Sequence, residues 1–533
     1  MIPSDQTFDK ETDAFHLLPQ SEITVPADPI VFNTIPIQRY RKYCDIQEMY
    51  FRPIACCEDL SLEYYGTDGY TDVKTIKNPT EIVRIDISRG DMLRILDGDG
   101  NPVCGTVFVR NQRPRKIKLG HIVCTYRREH DIQRKMNEFA SVPLEDYHLY
   151  VIDNGMTLET IETDVLSVIH SKNLGGSGGF TNGMIRALND GCTHILLNDD
   201  DALLSKESVF RMMSFLGLID DEYCDANLCG IMMDINNPTK VYEAGAQMDR
   251  CRLVPLCNGT DVTSDYIALM NESRVDYSNW TCLCIPATVV KGAGLPLPMF
   301  IREDDVEYGL RMKKHTIVLP GLFVWHQNYA DSYSPVYYYY YVRNRMVALS
   351  VSDMLNKEFI DIIFGEMAVE ASAYRYECCR EMMDGMRDFL KGPDYVFNLC
   401  RKGMRRAAVP EMDDPKTLRD KLNLIEHAPS VGFIHRKLTL NGILRKDVGD
   451  IETATTDMDS ADFYRIGKVL YRVRDMGFIA ERSFSSAVSC AFRVTFLKLH
   501  TRIVIKHVSN SYRSSLNRYS SEEFWYDVLF RDE

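Results

Sequence analysis

The run Ile195-Leu196-Leu197-Asn198-Asp199-Asp200-Asp201 constrains the fold of this chain more than any other segment. A continuous aliphatic stretch predicts a strand covered on both faces, as in a parallel sheet flanked by helices. That strand stops abruptly in carboxylates. Side chains alternate along a strand, so Asp199 and Asp201 are expected on one side of its C-terminal tip. Paired hard oxygen ligands suit Mg²⁺ or Mn²⁺, and the carboxyl edge of an α/β sheet is where ligands bind. The pattern predicts a metal clamp for a diphosphate.

Two more apolar runs, Ile122-Val123-Cys124 and Leu149-Tyr150-Val151-Ile152, precede it, with helical patterns at Gly183–Asn189 and Ser205–Leu216. Strands alternating with helices predict a Rossmann-like α/β domain over residues 116–350. Residues 1–115 carry short β-prone runs broken by turns, such as the alternating Glu81–Ile87 and the turn Gly98–Pro102, and predict an N-terminal β-sandwich. Residues 351–533 read as a mainly helical region, with Met and Ala at helical spacing from Phe359 to Leu390 and a less regular stretch over Lys391–Asp457.

A net charge of −14 excludes broad nucleic-acid binding, which needs a basic footprint. Sixteen cysteines among 533 residues, with no CxxC pair and with Cys56-Cys57 and Cys378-Cys379 adjacent, fit reduced thiols and a cytoplasmic protein. Met1-Ile2-Pro3-Ser4-Asp5 has no signal-peptide pattern, and no apolar run is long enough to span a bilayer. The closing segment sets Arg493, Lys498, Arg502, Lys506, Arg513 and Arg518 beside Phe496, Leu499 and Val504. Such a segment can lie on the inner face of an anionic membrane as a peripheral contact, or pack as a helix with a solvated basic face.

Further candidates sit at the same sheet edge. The first strand ends in Cys124-Thr125-Tyr126-Arg127-Arg128, and the second in Asp153-Asn154-Gly155. Asp153 could accept hydrogen bonds from a base or ribose, and Arg127 or Arg128 could face a base or phosphate. Asn173-Leu174-Gly175-Gly176-Ser177-Gly178-Gly179 opens a helix, and its glycines permit close backbone approach to a ligand. Asp304 and Asp305 stand at a helix start, where one can cap and the other can act as a general base. His326 ends another strand and suits a third metal ligand.

Together with Asp276-Tyr277-Ser278-Asn279-Trp280, Pro296–Ile301, Tyr308–Arg311 and Arg343-Asn344-Arg345, these segments resemble, in family order, the GT-A fold, family 2 inverting glycosyltransferases. The resemblance is greatest to mycobacterial-type galactofuranosyltransferases that extend galactan. It implies a UDP-galactofuranose donor, Mn²⁺ or Mg²⁺ held by Asp199, Asp201 and His326, and a glycan or lipid-linked oligosaccharide acceptor. It further implies Asp305 as the base and Asp304 as a positioner of sugar hydroxyls. Thr125, Arg127, Asp153, Asn173, Gly175, Gly176, Asp199, Asp200 and Trp280 would face the donor. The family carries Trp-Trp where this chain has Trp280-Thr281, and a tryptophan where it has Glu303, so the acceptor is left open. Open too are UDP-galactose, UDP-glucose or dTDP-rhamnose as donor, a non-catalytic glycan-binding role, and a homo-oligomer.

Overall fold

The computed structural model describes residues 11–531 except 56–57, 78, 80–81, 111–113, 141–145, 251, 329–332, 428, 430–444 and 455–462. The expectations for Met1–Asp5, for Cys56-Cys57 and for Glu81 therefore lie outside the described residues. Every cysteine among the described residues is a free thiol.

The centre is a ten-stranded mixed sheet. Four adjacent strands are parallel: Leu166–His170, Tyr147–Asp153, Leu119–Thr125 and His194–Asp199 lie side by side, the last three containing the apolar runs read from the sequence, with the short Ile161–Glu162 antiparallel at the edge. Leu283–Pro286 then runs antiparallel to both His194–Asp199 and Asn227–Asp234. Two reversals restore the original direction, so Asn227–Asp234 and Thr316–His326 pair parallel and bring His326 to the same edge as Asp199. Helix Lys206–Leu218 covers the sheet, its first turn capped by the Ser205 hydroxyl on the Ser208 N–H (3.0 Å).

Two antiparallel sheets make up the N-terminal region. One orders Glu11–Leu17, Gly105–Arg110, Glu48–Pro53 and Val83–Ile85; the other orders Thr71–Lys77, Asp59–Tyr65 and Met92–Asp97. Their apolar faces share one core with the central sheet, from Phe15 and Tyr40 through Phe215 to Leu319. Arg211 fastens the junction. Fully buried over the Phe15 ring, it donates to the carbonyls of Phe32 (2.8 Å), Gly321 (3.2 Å) and His16 (2.7 Å) and pairs with Glu207. A buried guanidinium is tolerated only with such complete pairing.

The C-terminal region is helical as expected, with Lys357–Ser372, Tyr376–Leu390 and the 36-residue Phe484–Tyr519 packed together and against Pro335–Val351, the helix that closes the preceding domain. It also contains a small three-stranded sheet that the helical texture did not suggest: Gly449–Ala454, Ile466–Val473 and Met476–Glu481. Among the described residues no helix is long and apolar enough to cross a membrane.

Candidate active site

Asp199 is the last residue of its strand, and Asp200 and Asp201 lie in the turn beyond it. Strand alternation therefore does not bring Asp199 and Asp201 together. A distant pairing does so instead: Leu203 and Leu204 bond antiparallel to Trp325 and Val324, which folds the turn back and sets Asp201 against His326. The His326 Nε2 lies 3.0 Å from Asp201 Oδ1, while its Nδ1–H donates to the Gln327 carbonyl (2.6 Å) and fixes the ring. One ligand atom each from Asp199, Asp201 and His326 falls within 4.8 Å of the others. Two carboxylates and an imidazole suit Mn²⁺ better than Mg²⁺, which favours an all-oxygen shell.

Buried charge supports the turn from beneath. The Lys135 ammonium donates to the carbonyls of Asp199 (2.9 Å) and Ala202 (2.8 Å) and to the Asn198 side chain, and burial lowers its pKa to about 8. Asp200 accepts from the Thr125 hydroxyl (2.8 Å) and from Arg128 (3.2 Å); Arg128 also pairs with Asp201. Burial, aided by the neighbouring carboxylates, raises Asp199 to about 6. Asp201 is pulled below its usual range because His326 and Arg128 outweigh its burial. Burial alone would lower His326, yet Asp201 and Asp199 raise it.

These groups face Asp304 and Asp305 across one cavity of about 570 Å³. Its wall also includes Arg128, Gly176, Glu243, Tyr277, Trp280 and Arg302. Burial first, then the charge of Asp199, raises Asp304 to about 7; burial and the adjacent Asp304 push Asp305 up as well. Carboxyl groups raised in this way can hold or take up a proton near neutrality.

The loop carrying this pair is contorted. Phe300, Arg302 and Glu303 all have positive φ (76°, 64° and 66°). Helix Pro335–Val351 holds it: the Asn344 amide donates to the carbonyls of Met299 (3.1 Å), Ile301 (2.8 Å) and Arg302 (2.8 Å), and Arg343 donates to Met299 (2.6 Å). Arg345 pairs with Glu303 (Nη2 to Oε1, 2.8 Å). Within the tyrosine run of that helix, Tyr339 and Tyr340 are buried, while Tyr337 lines the cavity beneath Arg302.

The glycine run divides its duties. Gly175 has φ 73°, and a Cβ there would fall 2.0 Å from the Phe300 carbonyl oxygen, so it brings helix Gly175–Asn189 against the contorted loop. A Cβ on Gly179 would strike Cys124 Sγ at 2.1 Å, so it seats the same helix on the sheet. Of the run, only Gly176 reaches the cavity wall, 3.2 Å from the Asp304 carboxylate as measured from an added Cβ.

Of the other residues expected to face the donor, Trp280 lines this cavity, whereas Asp153, Asn173 and Arg127 do not. Asp153 is fully buried, and its oxygens accept the backbone N–H groups of Gly155 (2.8 Å), Thr157 (2.7 Å) and Leu158 (2.8 Å). The Asn173 side chain accepts from Gly175 N–H (3.1 Å), and Arg127 lies over the Tyr126 ring. Trp280 packs edge-on between Phe180 and Tyr308 and shows the cavity one edge. Sequence reasoning missed Glu243, raised to about 7 by burial and hydrogen-bonded to Asn279 (2.7 Å). It also missed Arg474, which the hairpin of the small C-terminal sheet projects to the cavity, where it bonds Gln327 beside His326.

Residues 114–346 match the family model described as Glycosyltransferase like family 2. They form a family 2 glycosyltransferase domain. The chain is 28% identical over 338 residues to galactofuranosyltransferase GlfT2 of Mycobacterium tuberculosis (strain ATCC 25618 / H37Rv), covering 56% of this chain and 52% of the relative. It is 28% identical over 269 residues to GlfT2 of Mycolicibacterium smegmatis (strain ATCC 700084 / mc(2)155), covering 45% and 40%. The chain thus spans about half the length, or less, of these curated relatives. Among solved structures, S. aureus TarS 1–349 aligns over 54% of this chain and 83% of that one, at 16% identity and a TM-score of 0.35. The family 2 domain includes the carboxylate turn, His326 and the Asp304-Asp305 helix.

Proposed function

We propose that the chain is a metal-dependent, inverting glycosyltransferase that moves a galactofuranosyl residue from UDP-galactofuranose to a hydroxyl of a growing cell-surface glycan. The carrying observation is the placement of Asp305 and the Asp199–Asp201–His326 cluster on one cavity within the family 2 domain. The name of the relatives, galactofuranosyltransferase, supports the donor sugar.

In this reading Asp199, Asp201 and His326 would hold Mn²⁺ or Mg²⁺. A divalent ion there supplies the charge that neutralises a departing diphosphate. Asp305 removes the proton of the acceptor hydroxyl as that oxygen attacks the anomeric carbon from the face opposite the leaving group. The raised pKa of Asp305 keeps its base strength high, while its half-buried carboxylate still reaches the cavity. Asp304 orients sugar hydroxyls. Arg128 and Lys135 keep the acidic turn in shape, so the ligand atoms are preorganised before substrate arrives.

The test is incubation of the purified chain with Mn²⁺, a galactofuranoside acceptor and a panel of nucleotide sugars, following nucleotide release and product mass. Turnover with UDP-galactofuranose and an inverted linkage is expected. Turnover restricted to UDP-galactose, UDP-glucose or dTDP-rhamnose would overturn the donor assignment, and metal-independent turnover would overturn the cluster's role.

A further inference from the structure

Helix Phe484–Tyr519 leaves one face uncovered. Phe484, Val488, Phe492, Phe496, Leu499 and Ile503 are exposed, Phe492 to 64% and Ile503 to 81%. Their spacing of four, four, four, three and four residues places them on a single face, while Cys490, Leu497, Thr501 and Val508 face the core. At 1.5 Å per residue the stripe runs about 30 Å along the helix. The rings of Phe492 and Phe496 lie 4.5 Å apart, adding to a continuous apolar surface. An isolated exposed apolar side chain is ordinary; a continuous stripe marks a surface that meets something else.

Charge selects the occupant. The protein carries a net charge of −14, yet this 36-residue helix has no Asp or Glu and six Lys or Arg. Lys498 and Arg502 are tied to Asp361 (2.7 and 2.6 Å), Arg513 to Asp353 and Arg518 to Asp394. Arg493 and Lys506 make no ion pair among the described residues. On the helical wheel Arg493 stands at one margin of the stripe, and Lys506 lies on the stripe's own face, three residues beyond Ile503. A second copy docking on this face would set cation against cation with no carboxylate on either helix to answer them. An anionic bilayer answers both features, taking the apolar side chains below its headgroups and the cations among its phosphates.

We infer that the face of helix Phe484–Tyr519 formed by Phe484 to Ile503 is a membrane-docking surface, seated in the interface of a bilayer rich in anionic lipid. The inference does not depend on the reaction. Its test is co-sedimentation of the full chain with vesicles of phosphatidylglycerol and phosphatidylcholine in equal parts, beside vesicles of phosphatidylcholine alone. The variants are Phe492→Ser/Phe496→Ser and Arg493→Glu/Lys506→Glu. All four side chains are exposed, so thermal unfolding should stay as in the wild type, which separates a docking defect from misfolding.

The wild type is expected to bind the anionic vesicles, and each double variant to bind about tenfold more weakly or worse. Salt should weaken wild-type binding. Equal binding to both vesicle types, variants that bind as well as the wild type, or no binding at all would each overturn the inference. So would a dimer, seen by analytical ultracentrifugation, that the phenylalanine variant dissociates while vesicles are ignored.

Discussion

Replacing Asp304 by asparagine should stabilise the metal-free protein, and do so only above acidic pH. The residue is 9% exposed, and burial followed by the charge of Asp199 lifts its pKa to about 7. In the unfolded chain an aspartate titrates near ~3.9. Between those values the folded protein keeps a proton that the unfolded chain has released, so stability falls as pH rises through this window and levels off above it. A shift of about three units corresponds to about 4 kcal/mol. Asp305, raised by the same burial and by Asp304, shares part of that repulsion. The expected gain for Asp304→Asn is therefore about 2–4 kcal/mol at pH 8 and close to zero at pH 4. Thermal unfolding in chelator at the two pH values reads it directly. Adding Mn²⁺ at pH 8 should narrow the gap, because a cation beside Asp199 relieves the wild type. A variant no more stable than the wild type at pH 8, or equally stabilised at pH 4, would refute the electrostatic account. Turnover is expected to fall in the same variant, since a strained acidic site exchanges stability for function.

Asp305→Asn should lower kcat by about two to four powers of ten while nucleotide binding persists, as measured by calorimetry beside initial rates. Retained turnover would move the base elsewhere. Asp201→Ala should abolish metal-dependent UDP binding, and an unchanged calorimetric isotherm would remove Asp201 from the cluster. Asn344→Ala strips the Ile301 and Arg302 carbonyls of the contorted loop of this donor, at about 1–3 kcal/mol for each that stays unsatisfied, while Arg343 still serves the Met299 carbonyl. Its kcat should fall with metal binding intact; a normal kcat would show the loop to be held without it. Arg474→Ala should raise KM for the nucleotide sugar more than it lowers kcat, because its guanidinium stands beside the residue after His326. An unaltered KM would leave that arginine without a part in substrate binding.

The parallel part of the central sheet was legible because its strands, buried on both faces, are continuous apolar runs. The acidic tip of His194–Asp199 was legible for the same reason, yet strand alternation is not what pairs Asp199 with Asp201. The strand ends at Asp199, and the pairing depends on Leu203–Leu204 bonding to Val324–Trp325, a contact more than a hundred residues distant in sequence. No local pattern encodes that contact. The glycines after Asn173 announced close backbone approach, but not to what; most of it is to Phe300 and Cys124 rather than to a ligand. The C-terminal sheet left a weak trace, since Ile466–Val473 and Met476–Glu481 are β-prone and flank the polar pair Arg474-Asp475. That trace gives a hairpin; the arrival of Arg474 at the cavity is a tertiary fact.

The contorted loop shows why the site sits where the family 2 domain meets the C-terminal helices. Three non-glycine residues in the left-handed region within four positions cost on the order of 1–3 kcal/mol each when nothing holds them. An isolated loop would relax, and Asp304 and Asp305 would swing to solvent, where their pKa values would return to the ordinary range. Asn344, Arg343 and Arg345 prevent this by binding the loop's carbonyls and Glu303 from a helix that is itself locked into the C-terminal core through Val342, Met346 and Val347. In the proposed reaction the C-terminal core acts through this last helix of the family 2 domain: by locking it, the core keeps two raised carboxyl groups aimed into the cavity. Helix packing distant from the cavity therefore acts on the same carboxylates as the residues lining it, by setting how far the loop can relax.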